Sequence, residues 1–255
     1  MKIITLTTDF GASEYAGVVK GVILSINPEA KIFDITHNIQ PYNIMQAAYV
    51  LYSTLKYFPK GSIHVAVVDP GVGTERKALI LETEDYYLVG PDNGIFSLFE
   101  YNRAWEIEFK EASPTFHGRD VFAPAAARLS LDMNPEELGR EVKNIEKIDI
   151  FRIETEARKI KGEVLHIDVF GNIITNIKKE IFSRLGIKPG DSLRIKTLNK
   201  SFEVKFLPAY GYAGKGEFIL LVGSSGLIEL SENLGRASEV LNISSGDILE
   251  IEAQL

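Results

Sequence analysis

The chain has 255 residues, 45% of them hydrophobic and 25% charged, enough to bury one large core or a medium and a small one. Its formal charge of −7, with no basic cluster to offset it, excludes a broad electrostatic grip on nucleic acid. Cysteine is absent, which excludes a disulfide framework, a thiolate nucleophile and a thiolate metal site.

The first residues, "MKIITLTTDFG", read as a strand rather than a signal peptide, and no apolar run approaches the roughly 18 residues of a membrane span. The expectation is a cytoplasmic protein with no membrane partner. After "KIITLTT", Ser13 is placed to cap a helix with apolar positions Val18, Val19, Val22, Ile23 and Ile26. "KIFDIT" reads as a strand, and Asn43 as the cap of a second helix burying Ile44, Ala47, Ala48, Leu51 and Leu55. "SIHVAVVD", "KALILET" and "YYLVG" are further strands. This alternation predicts an α/β domain over residues 1–151 with a mainly parallel sheet. Ligands of such sheets sit beyond the carboxyl ends of the strands, where Asp9 and Asp69 fall.

The polar stretch "RIETEARKIK", residues 152–161, reads as a linker. Beyond it "GEVLHIDVF", "DSLRIKTL", "SFEVKFL", "EFILLVG" and "GDILEIEA" are short strands, with one helix around "KKEIFSRLG" and a hairpin turn at Asn199-Lys200. They predict a small antiparallel β-barrel domain over 162–255.

Several residues suit chemistry, each with a plainer reading beside it. Asp9 in "TTDFG" can accept bonds from vicinal ribose hydroxyls, or simply cap a helix. "GVGTER" starts like a dinucleotide fingerprint, but Arg76 stands where the third glycine belongs. "AGKGE" fails as a phosphate loop at Gly216. His117 in "TFHGRD" has polar, turn-forming neighbours, although a loop histidine is often only solvated. With no Cys and no His-x-x-x-His spacing, no metal site is expected. In "HIDVFGNIITN", Phe170 can stack on a base and Asn172 can pair with an adenine edge, or Gly171-Asn172 simply turns the chain. "GSSG", residues 223–226, exposes N–H groups and hydroxyls suited to a carboxylate, or is a plain loop.

In order along nearly the whole chain, "TTDFG", "THNIQPYN", "VVDPGVGTER", "GPDNG", "FHGRD", "DVFGNIITN" and "GSSGLIEL" resemble the S-adenosylmethionine (SAM) hydroxide adenosyltransferases, adenosine-forming SAM hydrolases related to the SAM-dependent fluorinase and chlorinase. The resemblance implies an N-terminal α/β domain, a C-terminal β-barrel, and a homotrimer binding substrate between one subunit's N-terminal domain and a neighbour's C-terminal domain. It implies a catalytic trio at Asp69, Arg76 and His117, a ribose aspartate at Asp9 and an adenine-pairing asparagine at Asn172. Tyr42 and Phe170 match positions packed around the nucleoside. Ser224 and Ser225 match the grip on the methionine carboxylate, although the halogenases carry an arginine where Ser225 aligns. Asp168 matches the methionine-amine partner across a one-residue gap. Tyr212 and Glu229 are added for their nearness to these loops.

The implied reaction is attack of water or hydroxide on ribose C5′, giving adenosine and methionine with no cofactor and no metal, with a clean-up role against the (R)-sulfonium epimer. The alternatives are a non-catalytic SAM or adenosine sensor and a SAM-dependent halogenase. A nicotinamide oxidoreductase and a nucleoside hydrolase are more distant rivals.

Overall fold

Strand β1 (Ile3–Thr8) lies between β2 (Lys31–Thr36) and β3 (Ile63–Val67), parallel to both. The computed structural model describes residues 2–198 and 200–253, in two compact units that meet in sequence at Ile148 and Asp149. The Asn199 half of the expected hairpin turn lies outside the described residues.

The first unit adds β4 (Ala78–Glu82), β5 (Tyr87–Pro91), β6 (Arg103–Ile107) and β7 (Gly139–Val142), in the sheet order β2-β1-β3-β5-β4-β6-β7. β5 is parallel to β3, while β4 and β7 run against their neighbours. Five of the seven strands therefore point one way, as the alternating pattern predicts. Helices α1 (Tyr15–Ile26), α2 (Ile44–Thr54) and α3 (Ala123–Ser130) belong to the same unit.

Val19 and Ile23 of α1 pack in one core with Ala123, Ala126 and Leu129 of α3 and with Ile4, Leu6 and Val65 of the sheet. The alanines let helix and sheet approach closely, and burying each larger side chain is worth roughly 1.5–3 kcal/mol. Asn43 caps α2 as expected, its side chain accepting from Gln46 N at 2.9 Å. Ser13 does not cap α1. The helix begins after Glu14, and the Ser13 hydroxyl donates instead to Phe10 O at 2.7 Å.

The second unit contains β8 (Glu154–Glu156), β9 (Lys159–Ile167), β10 (Ile173–Lys178), β11 (Ser192–Lys196), β12 (Ser201–Phe206), β13 (Phe218–Val222), β14 (Leu227–Glu232) and β15 (Ile248–Ala253). Seven of these close into a barrel, β10-β14-β13-β12-β11-β15-β9 and back to β10. All the ladders in the ring are antiparallel except β12–β13, which is parallel. Closure removes free edges, and the alternation of inward Ile160, Val164, Leu193, Ile195, Leu249 and Ile251 fills the interior. Short helices α4 (Lys179–Arg184) and α5 (Ala237–Leu241) accompany the ring.

The stretch read as a linker is not one. β8 pairs antiparallel with β9 across a turn in which Ala157 has φ +50°, so residues 152–161 form a hairpin on the barrel. Their polarity reflects an exposed added strand, since all three residues of β8 are solvent-facing while Ile160 is fully buried. Asn176 fastens the start of this unit. Its Nδ2 donates to Ile150 O and Arg152 O, and its Oδ1 accepts from Glu163 N.

Candidate active site

Parallel pairing of Thr8 with Val67 brings the carboxyl ends of β1 and β3 side by side. Asp9 and Asp69 follow those ends, close enough that the charge of one weighs on the other. Past Asp69, the turn of residues 70–75 returns the chain so that Arg76 faces the aspartate. Gly73 has φ +78°, and a Cβ there would sit 2.2 Å from Pro114 O, so only glycine lets this turn rest on the segment leading to His117.

Arg76 is the centre of this group. Its Nε donates to Asp69 Oδ1 at 2.9 Å and to Oδ2 at 3.1 Å, and its Nη2 also reaches Oδ2. Nη1 donates to Lys77 O at 3.0 Å, and Nη2 lies 2.8 Å from His117 Nδ1. The guanidinium stacks 5.2 Å over the Phe122 ring. With side-chain exposures of 9% and 5%, the Arg76–Asp69 pair is shielded from solvent, where a forked charge-assisted pair is strongest and most directional.

His117 precedes a wide π-helical turn, Gly118–Phe122, and is buried with its ring edge-on to Phe109 at 5.4 Å. A guanidinium can only donate, so Nδ1 accepts and the neutral ring carries its proton on Nε2. Burial, and then the Arg76 charge, depress the His117 pKa and favour that neutral form.

Asp9 Oδ2 accepts from Tyr42 N at 2.9 Å. Tyr42 has φ +68°, a conformation rare for a bulky residue, and this bond helps to hold it. Burial raises the Asp9 pKa; the Tyr42 amide opposes that rise and the Asp69 charge adds to it. A cleft of about 500 Å³ opens here, lined by Asp9, Tyr42, Phe10, Tyr15 and Phe116 among others. The rings of Phe10, Tyr15 and Phe116 meet edge to face with centroids 5.1–6.0 Å apart. An apolar wall with one carboxylate suits a nucleoside, whose base stacks and whose hydroxyls donate.

In the second unit, Asp168 is occupied by its own loop. Oδ1 accepts from Phe170 N at 2.8 Å and Asn172 N at 2.9 Å, and Oδ2 accepts from Asn172 Nδ2 at 2.8 Å. The turn predicted at Gly171-Asn172 is present, with Gly171 at φ +82°. It leaves Phe170 69% exposed, while Asn172 is buried to 8% with Oδ1 and its second amide hydrogen still available for an adenine edge.

Ser224 and Ser225 tip the β13–β14 hairpin, closed by Gly226 N to Gly223 O at 2.9 Å. Glu229 points from β14 into a buried position, where its Oε1 accepts from Tyr210 Oη and from Ser231 Oγ. Tyr212 is 72% exposed.

Residues 4–139 match the model of the SAM hydroxide adenosyltransferase N-terminal domain, and residues 162–250 that of the C-terminal domain of the same name. The chain belongs to the SAM hydroxide adenosyltransferase family. It is 43% identical to a Methanocaldococcus jannaschii protein named (R)-S-adenosyl-L-methionine hydrolase, over 98% of this chain and 96% of that one. A Nocardia brasiliensis fluorinase is 26% identical over 98% of this chain and 96% of its own length. A crystal structure described as an uncharacterized conserved protein from Thermotoga maritima superimposes with a TM-score of 0.90 at 39% identity, covering 98% of this chain and 99% of that one.

Within this family member the structure brings Asp69, Arg76 and His117 into one bonded group, and Asp9 with Tyr42 into another. Asp168 and Asn172 form a third, and Glu229 a fourth. Sequence reasoning missed Tyr210 and Ser231, the donors to Glu229. Ser231 carried a signal, because i and i+2 on a strand share a face with Glu229. Tyr210 carried none, since its contact crosses from a loop to a strand nineteen positions on.

Proposed function

We propose that the protein hydrolyses SAM to adenosine and methionine by attack of water on ribose C5′. The observation that carries this reading is the forked Arg76–Asp69 pair bound in turn to His117. A carboxylate fixed in this way can accept a hydrogen bond from a water and set its line of approach. The water oxygen bonds to C5′ as the C5′–S bond breaks. The bonding pair goes to sulfur, and methionine leaves as a neutral thioether. The proton released by the water passes to solvent through the hydrogen bonds around Asp69. Whether it leaves before or after attack does not alter the products.

Asp9 receives the ribose hydroxyls, Tyr42 and Phe170 flank the nucleoside, and Asn172 pairs with adenine. Ser224 and Ser225 take the methionine carboxylate. Asp168 acts by holding Asn172, and Glu229 is the better-placed acceptor for the methionine ammonium. The relatives' name supports the (R)-sulfonium epimer as preferred substrate. A homotrimer in which each substrate touches two subunits, and a cytoplasmic location, belong to the same proposal. Among the described residues no helix is long and apolar enough to cross a membrane.

The test is incubation with SAM in H₂¹⁸O. Adenosine carrying the label at its 5′ hydroxyl, beside unlabelled methionine, is the expected result. Release of free adenine, or no reaction, refutes it. Parallel rates on the two purified sulfonium epimers test the preference for (R), which equal rates would contradict.

A further inference from the structure

Glu229 is 6% exposed, and among the described residues no lysine, arginine or histidine forms an ion pair with it. Its Oε1 is taken by Tyr210 Oη and by Ser231 Oγ, the latter at 2.8 Å. Its Oε2 receives no hydrogen bond from a described residue. It faces the hairpin that carries Ser224 and Ser225, where a Cβ on Gly223 would come within 2.8 Å of it.

A buried carboxylate without a cation is costly, so this arrangement orients a charge that a ligand is needed to balance. Asp168 adds a second negative charge nearby. The Tyr210 phenol responds to both carboxylates: burial first, then its bond to Glu229 and the two charges, push its pKa up. The phenol therefore keeps its proton and remains a donor. Asp168 already accepts three hydrogen bonds from Phe170 and Asn172, two on Oδ1 and one on Oδ2, whereas Glu229 Oε2 accepts none from a described residue.

We propose that Tyr210 is a positioning residue which, with Ser231, holds Glu229 Oε1 so that Oε2 receives the α-ammonium group of the substrate's amino-acid end. The inference rests on reading this site as one for SAM. Tyr210 lies in a short turn, Tyr210–Tyr212, and the residue is 40% exposed.

The test compares SAM with its desamino analogue, which lacks only the α-ammonium group, in steady-state assays of wild type, Tyr210→Phe and Ser231→Ala. A hydrogen bond to a charged group sets the scale of the effect at about tenfold. Tyr210→Phe is expected to raise KM for SAM by about that factor, with kcat falling less than threefold, and to leave KM for the analogue where wild type has it. Ser231→Ala is expected to shift KM in the same selective way. Equal increases for both substrates would mean that the phenol only shapes the loop, and would overturn the proposal, as would no increase for either. A wild type that releases no adenosine from SAM would instead overturn the reading of the site, and this proposal with it.

Discussion

Arg76 Nη2 lies 2.8 Å from Nδ1 of His117, and this contact sets the state of the imidazole. A donor on that side leaves the ring proton on Nε2. In ¹⁵N-detected NMR at pH 7, His117 is expected to show a protonated Nε2 and an unprotonated Nδ1. A Nδ1–H tautomer would mean that the Arg76 contact is not made in solution.

The same contact fixes the direction of the pH response. Burial and Arg76 lower the His117 pKa below its ordinary 6.5, so the neutral ring persists below that pH. Turnover should hold its plateau through pH 6.5 on the acid side and decline only as His117 gains a proton at lower pH. An acid limb centred above pH 6.5 would contradict this.

Arg76→Lys separates charge from geometry. An ammonium can reach one acceptor well, but it has no planar fork for Asp69 and no remaining donor aimed at His117. The expected loss in kcat is about 10- to 100-fold, the scale of a misplaced catalytic group. Retention of full kcat would show that a point charge suffices.

His64 is expected to contribute to acid lability. It is fully buried in β3, bonded through Nδ1 to Thr5 Oγ1 at 2.7 Å and held between the Phe58 and Tyr86 rings. Desolvation pushes its pKa down to about 3. Between pH 6.5 and about 3 the unfolded chain binds a proton at this position that the folded one refuses, so stability falls as pH drops through that window. The contribution is about 1.4 kcal/mol per pH unit at most. Denaturant unfolding of His64→Gln across the window should show a shallower slope than wild type; equal slopes would assign acid lability elsewhere.

On the proposed mechanism, Asp69 is expected to favour water over halide. Two like charges about 4 Å apart repel by roughly 4 kcal/mol at an effective dielectric near 20. A halide beside the Asp69 carboxylate is disfavoured by at most that amount, because the Arg76 guanidinium offsets part of the charge. With SAM in high chloride, adenosine should remain the main product; mainly 5′-chloro-5′-deoxyadenosine would reverse the assignment.

Much of this arrangement was legible in the sequence because it is local or strand-encoded. A hydrophobic strand that stops at Asp69, with glycines at 71 and 73, reads as leading into a turn; that Arg76 meets Asp69 across it was implied by the family resemblance, and the structure shows the contact. The Asn43 cap was legible for the same reason, since its partner is three residues away. The Ser13 cap was misread because hydroxyl and amide compete for nearby backbone groups, and there the Phe10 carbonyl prevails. The hairpin at 152–161 was hidden by its polarity, which an exposed added strand shares with a linker. That Asp168 accepts from the amides of Phe170 and Asn172, two and four residues on, was not legible, because side-chain type does not announce such a local bond pattern. Tyr210 could be found only once the barrel had brought its loop to β14.

The most direct test of the account is turnover of Asp69→Asn, measured alongside its affinity for adenosine. If the carboxylate readies the water, adenosine affinity stays within about twofold while kcat falls on the order of 10²-fold or more. An asparagine variant that turns SAM over at the wild-type rate would remove Asp69 from the reaction.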